Sequence, residues 1–582
     1  MYLRKISVGK DGQRHKYWAL IKSVRTARGP RQQVVSYLGN MDEAGRLEVR
    51  QAAKGCRDIQ ETLFDEPLPE WAEINVRKVR TERSRRFGDV WIAQELIKKL
   101  GLGEQFERVM PEAVDGQRGR QAEIPWARLA EVLVMSRFCE PSSELHIAEE
   151  FYSKSAMGDL LGIADEDIYD NRLYRALDQL LEHKDELQKY LKERLGELFD
   201  IRYDILLYDI TSSYFEGEVS RNPQAQRGHS RDSRGDCKQI TIGLVVTKEG
   251  IPLGYEVFEG NRHDSTTVEE VIEKMESLYG KSDRVWIMDR GMASVENLEL
   301  LAEGERRYII GTPRKTLKRF EQELLSKDWK QVHEGLEVKL CPSPSGEDEL
   351  FILCRSSARK EKERAIHDRF VVRLEKSLTK MKKSCESGRV KNARLVERRI
   401  GRLLEKYNRA SPLFDVNVTE HEGRIDLTWT IHDKYTDWAR LSEGCYLLRT
   451  NIKEWTPEDL WKAYIQLTDA ESAFRIHKQD LGLRPIWHQR EDRVQAHILV
   501  CFLAYVLWKC LGQMCKRAGL GNEPRVVLEE IKNLNLVDVV LLTRSGVEIR
   551  LRCVSKPEKH LAILLQKLDL HVPSRLEIKH NL

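Results

Sequence analysis

The chain has 582 residues, 41% of them hydrophobic and 33% charged, with 36 Gly and 17 Pro. At roughly 150 residues per domain it holds three or four units, which excludes a single small module, a disordered chain and a collagen-like fibre. The net charge is only +4, so a uniformly polybasic protein is also excluded and the distribution of charge is what informs.

Residues 1–75 read as a basic β-rich arm: an apolar run Tyr17 to Ile21, a Gly29-Pro30 turn and a second run Gln33 to Leu38. Nine Lys/Arg stand in residues 1–40 against Asp11 alone. The opening MYLRKISVGKDGQRHKYW has no apolar signal core, so a cytoplasmic, nucleoid-associated protein is expected. Residues 76–200 are predicted to form a helical region, with helix starts at Pro141-Ser142-Ser143-Glu144 and Asp170-Asn171 and a stripe of Leu173, Ala176, Leu177, Leu180 and Leu181. It opens with six basic residues against Glu82 over 77–86.

From 201 to 312 the pattern becomes α/β. The run Ile205 to Tyr208 ends in Asp209, two strands over 239–247 and 251–258 form a hairpin, and Val285 to Met288 ends in Asp289. The segment 313–445 reads as an inserted basic subdomain: two helices separated near 384–388, with strands at 337–341, 350–354, 415–420 and 425–431. Over 359–409 it carries eighteen Lys/Arg against seven acids, a local +11. Residues 446–520 resume the core. Thr456 is a predicted N-cap with Pro457 at N1 and Asp459 at N3, opening a helix to about Asp480, and a more apolar helix covers about Val494 to Met514. Its longest apolar run, Ile498 to Trp508, is too short to span a bilayer. Residues 521–582 contain a predicted strand, Val537 to Leu542, and no functional motif. Eleven scattered cysteines, none spaced Cys-x-x-Cys, exclude zinc ribbons and a disulfide framework. Each basic run by itself fits a solvated face; three in one chain make nucleic acid the leading partner class.

An Asp at the end of a buried strand is how an α/β protein presents a carboxylate at its ligand edge. Asp209 and Asp289 both stand there, and two such acids suit a hard cation such as Mg²⁺ on a phosphate. On the helix from Pro457, Tyr464, Leu467, Glu471 and Lys478 fall at i, i+3, i+7 and i+14 and share a predicted face, offering Glu471 as third acid. His263 and Asp264 follow the hairpin and are placed to approach the acids, with a hydrogen-bonded loop residue as the commoner reading of such a His, and His497 reads as a buried structural residue.

The block Tyr208-Asp209-Ile210-Thr211-Ser212-Ser213-Tyr214-Phe215-Glu216, the block Trp286-Ile287-Met288-Asp289-Arg290-Gly291-Met292, and Gly228-His229-Ser230-Arg231-Asp232 between them resemble the DDE transposases of bacterial insertion sequences. Tyr464, Leu467, Glu471 and Lys478 are similar to that family's Y-x2-R-x3-E-x6-K helix, with Leu467 where the family has Arg. The resemblance implies an RNase H-like mixed sheet flanked by helices and interrupted by an insertion, with residues 76–200 as a helical DNA-binding region before it. It implies that Asp209, Asp289 and Glu471 hold two Mg²⁺ ions, with Mn²⁺ as substitute. It also implies nicking of an element end by water and attack of the freed 3′-hydroxyl on target DNA. Tyr464 and Lys478 would contact double-stranded DNA, at terminal inverted repeats and target, and Arg475 would stand in for the missing Arg. A homodimer on DNA is implied, and no membrane. Trp329 and Trp429 are candidates to support a flipped base, with core packing as the alternative. Two other functions stay open: an RNase H-like endonuclease without strand transfer, and a domesticated, catalytically silent DNA-binding protein.

Overall fold

The computed structural model describes residues 2–10, 13–26, 29–39, 71–111 and 124–576, apart from 347, 391, 409, 422–423, 433–437 and 439. Strands β1 (Tyr2–Lys10), β2 (Gln13–Thr26) and β3 (Gly29–Gly39) form an antiparallel sheet, one strand more than the two apolar runs predict. Apart from Ile21, the side chains of this arm lie outside the described residues.

Strand β4 (Arg80–Arg86) leads into helices α1 (Gly88–Leu100), α2 (Trp126–Cys139), α3 (Asp170–Leu181) and α4 (Lys184–Phe199). Leu173, Ala176, Leu177 and Leu180 are buried, as their helical spacing requires. The basic run on β4 is not a free surface, which corrects the polyanion reading for four of the six cations of 77–86; Arg77 and Lys78, before the strand, are exposed. Arg85 is 1% exposed and pairs with Asp159 and Asp538 at 2.8 and 2.6 Å. Arg80 pairs with Glu82 and Glu548, Arg83 with Asp165, and Arg86 with Asp89 and Glu140. Folding brings acids from distant segments onto these cations.

The central sheet has nine strands. In chain order come β5 (Ile205–Tyr214), β6 (Gln239–Thr247), β7 (Pro252–Glu259), helix α5 (Val268–Tyr279), β8 (Val285–Met288), helix α6 (Val295–Glu303) and β9 (Arg307–Gly311). They lie in the order β7-β6-β5-β8-β9. The hairpin strands are antiparallel, while β8 and β9 run parallel to β5. This is the RNase H-like arrangement. All nine positions of β6 and all four of β8 are buried, because helices cover both faces. On one face α5 and α6 enclose Tyr208, Trp286 and Met288. On the other, Leu207, Ile287 and Ile309 join the core shared with the helical region.

Beyond β9 the chain adds β10 (Lys330–His333), β11 (Leu336–Pro342) and β12 (Leu350–Ser356) to the sheet edge. It then leaves the sheet as helix α7 (Ser357–Glu386), helix α8 (Ala393–Lys406) and the hairpin β13 (Phe414–His421) and β14 (Arg424–Ile431), and returns as β15 (Cys445–Thr450) between β12 and β9. The segment 313–445 is therefore divided. Its first strands extend the central sheet, and only the part from α7 to β14 forms a body with its own apolar centre, where Leu374, Leu378, Val396, Ile400 and Leu427 meet.

Helices α9 (Pro457–Ile465), α10 (Leu467–Arg475) and α11 (Glu491–Arg517) complete the core. By length and composition α11 is able to cross a membrane, yet 94% of its apolar window is buried inside the fold. Strands β16 (Asn535–Leu542) and β17 (Glu548–Val554) pair with β4 in the order β17-β16-β4, tying the C-terminal segment to the start of the helical region.

Candidate active site

The register of the parallel strands places the first two acids. Tyr208 pairs with Met288, so Asp209 and Asp289 follow at one level on adjacent strands. Beyond that level β5 continues to Tyr214 while β8 stops, which opens the sheet edge beside Asp209. Asp289 is exposed, and Asp209 is half-buried with its Oδ1 accepting from the Ile210 amide at 2.8 Å. The backbone behind them is braced. The Tyr208 hydroxyl meets Thr267 Oγ1 at 2.8 Å, and Thr267 Oγ1 donates to the Asp264 carbonyl. Buried Asn297 donates to the carbonyls of Ser265 and Met292 at 2.8 and 2.9 Å, joining the loop of Asp264 to the turn after Asp289.

The third acid arrives on a kinked helix. Thr456 caps α9 by accepting from the Asp459 amide at 3.2 Å, as predicted. The single helix expected to about Asp480 is interrupted: a tightened turn at Gln466 separates α9 from α10, and a wide π-type turn covers Ile476–Asp480. Glu471 is exposed, whereas Leu467 is 7% exposed and packs in the core, so the face they share is part site and part packing, with Tyr464 and Glu471 lining one cavity. Glu471 lies close enough to Asp209 to act on its charge. Burial raises the Asp209 carboxyl to about 7, and the charges of Asp289 and Glu471 add to the rise, opposed by Arg231.

Two cavities meet at Asp289. A small one of about 270 Å³ is lined by Asp209, His229, Arg231, Asp264, Asp289 and Arg290. A larger one of about 920 Å³ is lined by Asp289, Arg290, Tyr464 and Glu471 together with Arg359 at the start of α7. Tyr464 sits so close to Gly311 that a Cβ there would lie 2.6 Å from its hydroxyl. Burial, aided by the charge of Asp289, holds that hydroxyl above its ordinary range.

The other expected residues are placed differently. Lys478 donates to Asp232 Oδ1 at 2.8 Å, and Arg484 bonds the same oxygen. With side-chain exposures of 9% and 4%, Lys478 and Asp232 form an internal pair that holds the loop after β5 to the third-acid segment. Arg475 is exposed one turn beyond Glu471, with Ser472 Oγ 3.3 Å away. Trp329 packs beside Phe320 and Phe351 with Arg355 over its ring, and Trp429 packs in the inserted body. His263 lines a different surface cavity. His497 is buried between Arg137 and Cys501, with its Nδ1 3.4 Å from Arg137 Nη2. Asp264 does approach the acids, as its place after the hairpin suggested, while His263 does not; Arg231 and Arg290 were given no role by the sequence, although they fall within the Gly228 to Asp232 and Trp286 to Met292 blocks. The signal for Arg231 was a charged, Gly- and Ser-rich loop beside a strand that ends in an acid.

A family profile described as "Transposase DDE domain" matches residues 201–507, over half of the chain, and spans all three acids. The chain belongs to the DDE transposases. Residues 3–62 match the "IS1634 family transposase, N-terminal domain", so the transposase is that of an insertion sequence. Members of this family act on DNA and generally use divalent metal ions. No curated protein matches the chain. One solved structure, "Cryo-EM structure of piggyBac transposase synaptic complex with hairpin DNA", aligns over 78% of this transposase and 82% of that chain, at 8% identity and a TM-score of 0.34, a likeness too distant to inform the site.

Proposed function

We propose that Asp209, Asp289 and Glu471 hold two Mg²⁺ ions, replaceable by Mn²⁺, and that this transposase cuts insertion-sequence ends and joins them to target DNA. The observation that carries the reading is the gathering of three carboxylates at one sheet edge, with Asp209 forced upward by burial and by the other two. An oxygen-only donor set with surplus negative charge suits a hard divalent cation. When bound, a pair of such ions polarises the phosphodiester and activates the attacking oxygen. The protein's own part is to fix the geometry. Asp209 and Asp289 are set by strand register, and Glu471 is set by α10 packing on the sheet. Arg290, which lines both cavities, meets the phosphate between the acids. Tyr464 and Arg475 contact the DNA near the cut, and Lys478 holds the third-acid segment through Asp232. The transposase works in the cytoplasm as a homodimer that joins two ends.

The test is cleavage and joining of a duplex bearing the element's own end. Wild type cleaves in Mg²⁺, and Asp209→Asn, Asp289→Ala and Glu471→Ala each lose at least ~10³-fold in cleavage while binding DNA within about twofold of wild type. Substantial cleavage by any one of them removes that residue from the set. Cleavage without covalent joining makes the protein an endonuclease, and binding without cleavage by wild type in Mg²⁺ or Mn²⁺ makes it a silent DNA-binding protein.

A further inference from the structure

Helix α7 leaves the sheet at the rim of the larger cavity, where Arg359, Glu363 and His367 line it together with Asp289 and Glu471. Glu363 secures this exit by accepting from the Gly444 amide at 3.1 Å and pairing with Arg359 at 3.1 Å. The helix then runs for 30 residues, about 45 Å at 1.5 Å per residue.

Its two sides are unlike. At 100° per residue, Phe370, Val371, Leu374, Leu378, Met381 and Cys385 share one arc, and these residues pack into the inserted body. Lys362, Arg369, Arg373, Lys376, Lys380 and Lys383 fall in the opposite arc, within about 80° of one another. All six are exposed. Among the described residues none of these six side chains has a hydrogen-bond or ion-pair partner. The acids Glu361, Asp368, Glu375 and Glu386 lie on a flank about 100° away, clear of the row. Like charges three and four residues apart repel by a few tenths of a kcal/mol per pair, so the row costs stability that nothing in the described fold recovers. It extends over about 32 Å, close to the 34–36 Å of one duplex turn.

We propose that this row is a sequence-independent clamp on the phosphate backbone of the duplex being cut, gripping about one turn beside the scissile phosphate. It rests on the assignment of Asp209, Asp289 and Glu471 as the cutting site. Lys362 opens the row within one turn of Arg359, which lines the cavity that holds two of those acids, and the row lies about 120° round the helix from the cavity-lining Arg359, Glu363 and His367. A duplex that leaves the acids across the outer side of this helix meets the row within its next turn. Lys and Arg at 5–6 Å spacing contact phosphates and read no bases.

The full chain carrying R369Q, R373Q, K376Q, K380Q and K383Q is compared with wild type on a duplex bearing the element's end, titrated across salt concentrations. The slope of log K against log salt is expected to fall by about 0.9 for each lost phosphate contact, up to ~4.5 for all five. Ethylation interference is expected to vanish over about ten base pairs on one side of the cut, and equally so when that turn's base sequence is scrambled. The melting temperature rises slightly above the wild-type value, because the repulsion within the row is relieved, and R369K with R373K keeps the wild-type slope because charge is what matters. An unchanged slope and footprint overturn the clamp, as does a loss that follows base sequence or appears only with target duplex. A wild type that shows the footprint but never cuts refutes the assignment of the acids and leaves the clamp standing. Normal cutting with no effect of the five substitutions refutes the clamp alone.

Discussion

The basic runs on β4 and on α7 look alike in sequence and have opposite fates in the fold. On β4 every second or third residue is Arg, and Arg80, Arg83, Arg85 and Arg86 are each matched by acids, some from far along the chain, such as Asp538 and Glu548. On α7 six of the ten cations stand on one exposed face, and Glu361, Asp368, Glu375 and Glu386 are set aside on another. A charge run becomes a binding surface only where folding leaves it unmatched. A matched cation is part of the scaffold, and its removal is felt as stability. An unmatched one is felt in affinity and salt dependence.

Arg85→Ala is the sharpest way to break that contrast. It takes one of two cations from Asp159 and Asp538 in a largely buried site, leaving Arg552 as their shared partner at 2.6 and 3.2 Å, and is expected to cost about 3 kcal/mol, read by thermal or denaturant unfolding, while the salt slope of DNA binding by the folded fraction stays as in wild type. Asp232→Ala comes next. It leaves Lys478 and Arg484 without their shared acid and is expected to cost about 3 kcal/mol. It also slows cleavage through the third-acid segment, so kcat falls more than DNA affinity, and a charge-neutral Asp232→Asn does not restore it.

Gly311→Ala tests packing instead of charge. Its Cβ would lie 2.6 Å from the Tyr464 hydroxyl and 2.9 Å from the Arg290 amide, and overpacking of this kind costs about 1–3 kcal/mol. Reduced cleavage is expected, with Tyr464→Phe in the same chain recovering part of it. The last effect is one of pH and is felt only in acid. His477 donates from Nδ1 to the Ala473 carbonyl at 2.8 Å, and burial pushes its imidazole down to about 4. Between the ordinary value of about 6.5 and 4 the unfolded chain takes up a proton that the folded one refuses. Stability is therefore complete above pH ~6.5 and is lost as pH falls toward 4. A His477→Gln chain should show a flatter melting temperature against pH over that range; an unchanged slope removes His477 as a contributor.

The strand-end acids were legible because a buried apolar run followed by Asp is a local pattern, and the sheet preserves it: Asp209 and Asp289 lie side by side through the Tyr208 and Met288 register. The capped start of α9 and the hairpin of β6 and β7 were legible for the same reason. Glu471 was found by assuming one straight helix. The helix is interrupted at Gln466 and widened at Ile476–Asp480, and its neighbours are used differently: Leu467 packs in the core and Lys478 turns inward to Asp232. Such interruptions depend on tertiary packing, which no i to i+7 spacing encodes.

What the sequence determined by itself was everything set by short-range chemistry and periodicity: the alternation of strands and helices, the family, the two strand-end acids, and the existence and position of a strongly cationic insertion. The tertiary structure alone decided which charges are neutralised. Ion pairing is a contact between residues hundreds of positions apart, and its outcome turns on which acids folding delivers within a few ångströms of each cation. That is why β4 became scaffold, Lys478 a brace and α7 an open row of charge.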